Sequence, residues 1–258
     1  MDAGDQGAQA EGGLRSALAG DSVLRHGIVD SEGKVPGLRL WGRRSAFNVQ
    51  KAMWAIAELG LECERIEIGG ASGGLDTPEF LLMNPNGRIP VLEDDGLVVW
   101  ESHTIVRYLA ATYGLGSLWP SDSRTRSLAD RWMDWMLATL QPAFINLFWG
   151  FYRTPEEHRD GKAIKAAMRQ CENYFAVLDA HLQGRGFVAG ESFSMGDIPA
   201  ATSLYRYFEM GISVPKIPNV RAWYERLGAR AAYRLAVMTP FEELRGSHGH
   251  RQPEIPTT

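Results

Sequence analysis

The sequence predicts an α/β domain followed by an all-α domain, and three observations carry that expectation. Between residues 38 and 100, short apolar or alternating runs are interleaved with helical periodicities, as when strands and helices share one sheet. From residue 124 onward helical periodicity recurs with no strand pattern between its runs. The change falls across 114–121, where Gly114, Gly116 and the break Trp119-Pro120-Ser121 interrupt both patterns.

The elements follow in order. Residues 38–42 form a short apolar strand. Val49, Ala52, Met53, Ile56 and Ala57 then recur at helical spacing, and Gly60 ends that helix. Residues 62–68 alternate like a strand, a Gly/Ser-rich loop fills 69–74, and a short helical turn spans 78–83. Residues 90–93 and 97–100 form a hairpin about Asp95-Gly96, a pair suited to the positive φ angles of a tight turn. Helix 101–113 places Ile105, Tyr108 and Leu109 on one side. Four helices follow, over 124–152, 162–183, 195–209 and 219–238, the third beginning at a capping segment where Asp197 reads as a buried acceptor. The polar, small-residue start (1–36) is expected to be a flexible extension and 246–258 a flexible tail, leaving domains at 37–115 and 121–245.

Composition excludes several classes of function. Of 258 residues, 45% are hydrophobic, and the net charge of −4 gives no reason to expect nucleic acid or an anionic membrane surface as a partner. No apolar run approaches the ~20 residues of a membrane span, and the N-terminal segment lacks the apolar core of a secretory signal. Cys63 and Cys171 form neither a paired motif nor a metal-ligand cluster with histidine. They read as small buried hydrophobes in a reducing, cytoplasmic protein.

The most informative segment is Asn84-Pro85-Asn86-Gly87-Arg88-Ile89-Pro90-Val91-Leu92, followed by Trp100-Glu101-Ser102. Proline lacks an amide hydrogen, so Pro90 belongs at a strand start and leaves the N–H and C=O of Ile89 free to pair with an extended peptide. The helix beginning at Glu101-Ser102 offers amide hydrogens and a hydroxyl to a carboxylate. Together they describe a site for a small peptide with an acidic end. The early elements match a thioredoxin-like half, whose redox members carry cysteine where the first strand meets the first helix. Here that junction reads Gly42-Arg43-Arg44-Ser45-Ala46-Phe47-Asn48, without a thiol, so sulfur chemistry there requires a bound thiol. Arg43 and Arg44 read either as a source of positive potential for an anionic peptide or, more commonly for a loop, as solvated charges.

Asn48-Val49-Gln50-Lys51, Asn84–Pro90, Glu101-Ser102 with Ile105-Val106-Arg107-Tyr108-Leu109, Trp132-Met133-Asp134-Trp135 and Ser194-Met195-Gly196-Asp197-Ile198-Pro199 occur in that order. With these motifs the chain resembles the cytosolic glutathione S-transferases, specifically the bacterial theta-like members, over about 38–244. The resemblance implies an N-terminal thioredoxin-like domain, a C-terminal all-helical domain, and a cytoplasmic homodimer acting in detoxification. It implies glutathione as co-substrate, no bound cofactor or metal, and a hydrophobic electrophile as the second substrate. It implies a cis Pro90, with Ile89 holding the cysteinyl backbone, Glu101 and Ser102 the γ-glutamyl end, His103 beside them, and Arg88 near the glycyl end. Ser45 occupies the place of the theta-type serine that stabilises the thiolate. Asn48 is the second candidate for that role, with capping of the first helix as its other reading. Phe148, Trp149, Tyr152 and Tyr205 are expected to line the electrophile pocket. Glutathione-dependent dehalogenation or peroxide reduction, and a non-catalytic glutathione-binding protein, are the competing readings.

Overall fold

The computed structural model describes residues 37–247. The expected flexible extension and residues 248–258 lie outside the described residues. Four short strands, β1 (Leu38–Trp41), β2 (Cys63–Ile66), β3 (Val91–Asp94) and β4 (Leu97–Trp100), form a mixed sheet in the order β2-β1-β3-β4. β1 and β2 run parallel, which requires a crossover, and helix α1 (Phe47–Glu58) supplies it; β3 is antiparallel to both β1 and β4. Leu38 and Leu40 are buried on one face of β1, while Arg39 pairs with Glu64 at 3.2 Å on the other. The β3–β4 hairpin turns through Asp95 (φ 46) and Gly96 (φ 85), the left-handed pair its sequence demands. Strand β2 is shorter than the alternation of 62–68 suggests and stands at the sheet edge, where Cys63 is half-buried rather than buried.

Gly42 explains how α1 reaches the sheet so directly. Its φ is 150, and a Cβ there would lie 2.5 Å from Val49 Cγ2, so the chain turns from strand to helix only through glycine. Helix α2 (Pro78–Met83) starts with proline in its first turn, and Thr77 accepts the amide of Phe80 at 3.3 Å. Helix α3 (Ser102–Tyr113) begins directly after β4.

The remaining chain is helical. Helix α4 (Ser123–Trp135) passes through a π-type turn (Met136–Leu140) into α5 (Gln141–Leu147), and a second π-type turn (Phe148–Arg153) completes the rod. Pro142 gives the physical reason for the first widened turn: it has no amide hydrogen, and its ring crowds the preceding turn. Helices α6 (Gly161–Leu182), α7 (Asp197–Glu209), α8 (Pro218–Gly228) and α9 (Ala231–Ala236) follow. The single helix expected over 219–238 is therefore two. Arg230 is extended at the break (φ −79, ψ 124), and its guanidinium makes a two-pronged pair with Glu58 of α1 at 2.7 and 2.6 Å.

Helix α1 is the centre of the molecule. It packs against α3 of its own half and against α7 and α9 of the helical half, so nearly every residue from Phe47 to Ala57 is buried. Trp54 is fully buried between Tyr233 (centroids 4.6 Å apart) and Phe193 (5.4 Å). At the far side, Gly196 lets α7 start against α4; a Cβ would stand 2.8 Å from Ala129 Cα. Among the described residues no helix is long and apolar enough to cross a membrane.

Candidate functional site

The site is assembled from three neighbouring chain segments. The first is the loop entering β3. Asn84 is buried and acts as its clamp: Nδ2 donates to the Arg88 carbonyl at 2.7 Å, and Oδ1 accepts the Asn86 amide at 3.1 Å. The Ile89–Pro90 bond is cis and Pro90 is buried, which ends the loop against the sheet. Ile89 packs beside Gly42 and Gly69, bringing this loop next to the β1–α1 junction. Arg88 is exposed.

The second segment is the start of α3. Glu101 is exposed, has φ 69, and makes no side-chain cap; the first helical bond runs from the Ile105 amide to the Glu101 carbonyl. The amides of Ser102, His103 and Thr104 are thus outside the helical ladder, and an anion placed there meets N–H groups and the positive end of the helix. Ser102 is buried immediately below. His103 points away from that surface: it is buried, and its Nε2 lies 2.9 Å from Lys51 Nζ. Burial first, then the positive charges of Lys51 and Arg107, hold the imidazole neutral, down to about 2. The ring supports the helix start from beneath.

Lys51 enters the sequence reading only as the last residue of the Asn48-Val49-Gln50-Lys51 motif, with no role assigned. Its ammonium is fully buried and donates to Asn48 Oδ1 at 3.0 Å and to Gln141 Oε1, while facing the histidine ring. Burial pushes it well below the usual lysine range, and Glu101 partly restores it. Asn48 accordingly has its side-chain oxygen committed to Lys51. The N-cap of α1 is Ala46, with no side-chain cap, so Asn48 does not cap the helix.

The third segment is the β1–α1 junction. Ser45 Oγ accepts from Arg43 Nη1 at 2.8 Å, and its backbone carbonyl accepts from Arg206 Nη2 at 2.7 Å. Arg43 and Arg44 are half-buried, contrary to the expectation of solvated charges, and Arg44 donates to the Leu235 carbonyl at 2.9 Å. Arg206 is buried on α7, donates also to Gln50 Oε1 at 3.2 Å, and lies 5.1 Å from the centroid of Phe148. Burial, reinforced by the charges of Arg43 and Arg153, lowers its pKa to about 9. A cavity of about 310 Å³ opens beside Ser45, lined by Arg44, Glu67, Thr239, Pro240 and Glu243.

Of the four aromatic residues expected around the electrophile, Phe148, Tyr152 and Tyr205 pack with Phe241 of the C-terminal segment. Phe148 and Tyr152 are buried because rings four residues apart on the rod stack on one another: Phe144 on Phe148 (6.0 Å) and Phe148 on Tyr152 (5.3 Å). Phe241 of the C-terminal segment closes over Tyr152 at 4.9 Å and meets Tyr205 edge-on at 5.7 Å. Trp149 and Tyr205 are half-buried, with Arg153 over the Trp149 ring at 4.4 Å. None of the four lines the cavity beside Ser45. Among the described residues no cluster of histidine, cysteine, aspartate or glutamate could hold a metal ion.

Two sequence-family models match the chain: the glutathione S-transferase N-terminal domain over residues 36–111 and the glutathione S-transferase C-terminal domain over residues 140–231. The chain belongs to the glutathione S-transferase family. Glutathione S-transferase GstB of Escherichia coli K12 is 42% identical over 205 residues, which is 79% of this chain and 99% of that protein. Glutathione S-transferase D7 of Drosophila melanogaster is 32% identical over 194 residues, 73% of this chain and 83% of that protein. Among solved structures, the theta class glutathione S-transferase of Xanthomonas axonopodis pv. citri with glutathione bound superposes with a TM-score of 0.77 at 47% identity. It covers 80% of this chain and 99% of its own. The Bombyx mori transferase BmGSTD1 gives a TM-score of 0.73 at 27% identity, covering 81% of this chain and 97% of its own. The thioredoxin-like half and the helical half are those of a bacterial theta-like glutathione S-transferase.

Proposed function

We propose that the protein transfers the thiolate of glutathione to an electrophilic small molecule. Glutathione lies extended along Ile89, pairing its cysteinyl N–H and C=O with that backbone. Its γ-glutamyl end sits at the start of α3, the carboxylate on Ser102 and the open amides, the ammonium on Glu101. The glycyl end points toward Arg88. The sulfur then faces Ser45, and the electrophile enters the cavity beside it. The observation that carries this reading is the convergence of three features: the Ile89 edge against Gly42, the uncapped start of α3, and the Ser45-lined cavity.

The chemistry follows from these positions. The thiol proton passes to water, the Ser45 hydroxyl donates to the resulting thiolate, and the sulfur lone pair forms the new carbon–sulfur bond. The leaving group departs with its bonding electrons. Each unit by which the thiol pKa is lowered requires about 1.4 kcal/mol of preferential thiolate stabilisation, and one charge-assisted donor in a partly enclosed site is of that order.

The division into a glutathione-binding domain (37–115) and a helical domain (121–245), a cytoplasmic location and a homodimer belong to the same reading. Exposed Leu97, Val98 and Trp100 on β4 and exposed Leu128 and Leu137 on the rod support the dimer, since they leave apolar surface on both halves. Replacing Ser45 by alanine tests the central role. We expect retention on immobilised glutathione to persist while turnover of 1-chloro-2,4-dinitrobenzene falls at least tenfold. A wild-type protein that neither binds glutathione nor turns over an electrophile would overturn the reading.

A further inference from the structure

Ser45 is gripped from two sides by guanidinium groups, and this has a mechanistic consequence. A serine hydroxyl has one proton and two acceptor lone pairs, whereas a guanidinium can only donate. The 2.8 Å contact from Arg43 Nη1 therefore makes Ser45 Oγ the acceptor, so its single proton points elsewhere. The cavity is where Ser45 meets open space. On the opposite side, Arg206 holds the Ser45 carbonyl at 2.7 Å and fixes the peptide that carries the hydroxyl.

We propose that Arg43 is a positioning residue for thiolate formation, aiming the Ser45 hydroxyl proton at the glutathione sulfur and strengthening it as a donor. The inference rests on the glutathione transferase reading above. A hydroxyl that accepts from a cation is a better donor to the next group in the chain, because each hydrogen bond polarises its neighbour. Arg43 is itself held in place: its Cδ lies over Gly70, where a Cβ would approach to 2.9 Å. The charged groups facing it come from every neighbouring segment. Glu67 after β2 and Glu243 of the C-terminal segment attract it, while Arg153 at the end of the rod and Arg206 of α7 repel it. Arg65 repels the neighbouring Arg44 and pairs with Glu67. Much of the negative charge near Arg43 is thus already shared, and its guanidinium remains directed at Ser45. From sequence Arg43 reads only as general positive potential or a solvated charge, because an arginine two residues before a loop serine carries no periodic or motif signal.

The test is a titration of the bound thiol, followed by thiolate ultraviolet absorbance and by the pH profile of kcat/KM. It compares the full-length wild type with Arg43→Gln, Arg43→Lys, Ser45→Ala and the Arg43→Gln/Ser45→Ala double variant. We expect Arg43→Gln to raise the bound thiol pKa by about one unit, with kcat/KM falling about tenfold at pH below that pKa and KM for glutathione little changed. Arg43→Lys should recover part of the loss, and the double variant should behave as Ser45→Ala alone, since the two residues act in series. A Ser45→Ala shift with no Arg43→Gln shift, or fully additive effects, would overturn the role of Arg43 while leaving the transferase reading intact. A wild type whose bound thiol titrates like free glutathione would overturn both.

Discussion

At the scale of single residues, the buried Lys51–His103 pair is the least ordinary feature. An ammonium and an imidazole meet beneath the start of α3, with the amides of Asn48 and Gln141 as the other partners. The pair makes the fold sensitive to acid. The His103 pKa is depressed from 6.5 to about 2, so below pH 6.5 the unfolded chain takes up a proton that the folded one refuses. This contribution is complete above pH 6.5 and is lost as pH falls toward 2, at about 1.4 kcal/mol per pH unit. Chemical denaturation at a series of pH values should show that slope, and His103→Gln should remove it; an unchanged slope would contradict a buried neutral ring. Turn, strand-start and helix-start chemistry marks Ile89, Pro90, Glu101 and Ser102 locally in the sequence, whereas Ser45 is singled out only by its place in the family pattern. Lys51 and Arg206 were not legible. Helix α1 is buried on all sides, so no polar stripe sets Lys51 apart, and Arg206 lies inside the aromatic run Tyr205-Arg206-Tyr207-Phe208.

At the scale of elements, the start of α7 is fixed by one carboxylate. Asp197 accepts from the Val188 amide (2.9 Å), the Ser194 amide (2.9 Å) and hydroxyl (3.3 Å), and Trp223 Nε1 (3.1 Å). Full burial outweighs these donors and raises its pKa from 3.8 to about 6. A raised carboxylate acts in the opposite sense to His103: its stabilising contribution is complete below pH 3.8 and is lost as pH rises through about 6. Between those values the two groups offset each other in the wild type. Asp197→Asn should therefore expose the His103 slope more steeply, besides costing about 2–4 kcal/mol because an amide oxygen cannot serve all four donors. Gly42→Ala tests the other critical junction. With its φ of 150 and a Cβ 2.5 Å from Val49, we expect about 1–3 kcal/mol of lost stability from overpacking; a neutral result would mean that α1 can withdraw freely. The hairpin was legible because Asp95-Gly96 specifies its turn locally. The break between α8 and α9 was not, because it answers to a tertiary pair, Arg230 with Glu58 of a distant helix.

At the scale of the whole molecule, α1 joins the two halves into one core, so sheet and helices should unfold together. Trp54→Ala should cost about 3–5 kcal/mol and leave a single coincident transition by circular dichroism and tryptophan fluorescence. Two separated transitions in the wild type would contradict a shared core. The division into halves was readable from the switch in periodicity near residue 120. The packing that turns Phe148 and Tyr152 inward was not, because it depends on Phe241, nearly ninety residues from Tyr152, folding back over them. That same return of the C-terminal segment brings Thr239, Pro240 and Glu243 to the cavity beside Ser45. The proposed mechanism depends on where glutathione lies. A crystal structure of the protein with glutathione tests this most directly. The account predicts the sulfur within about 3.5 Å of Ser45 Oγ, the cysteinyl backbone paired with Ile89, and the γ-glutamyl carboxylate on the amides at the start of α3. A sulfur held by Asn48 or another group, with Ser45 turned away, would contradict it.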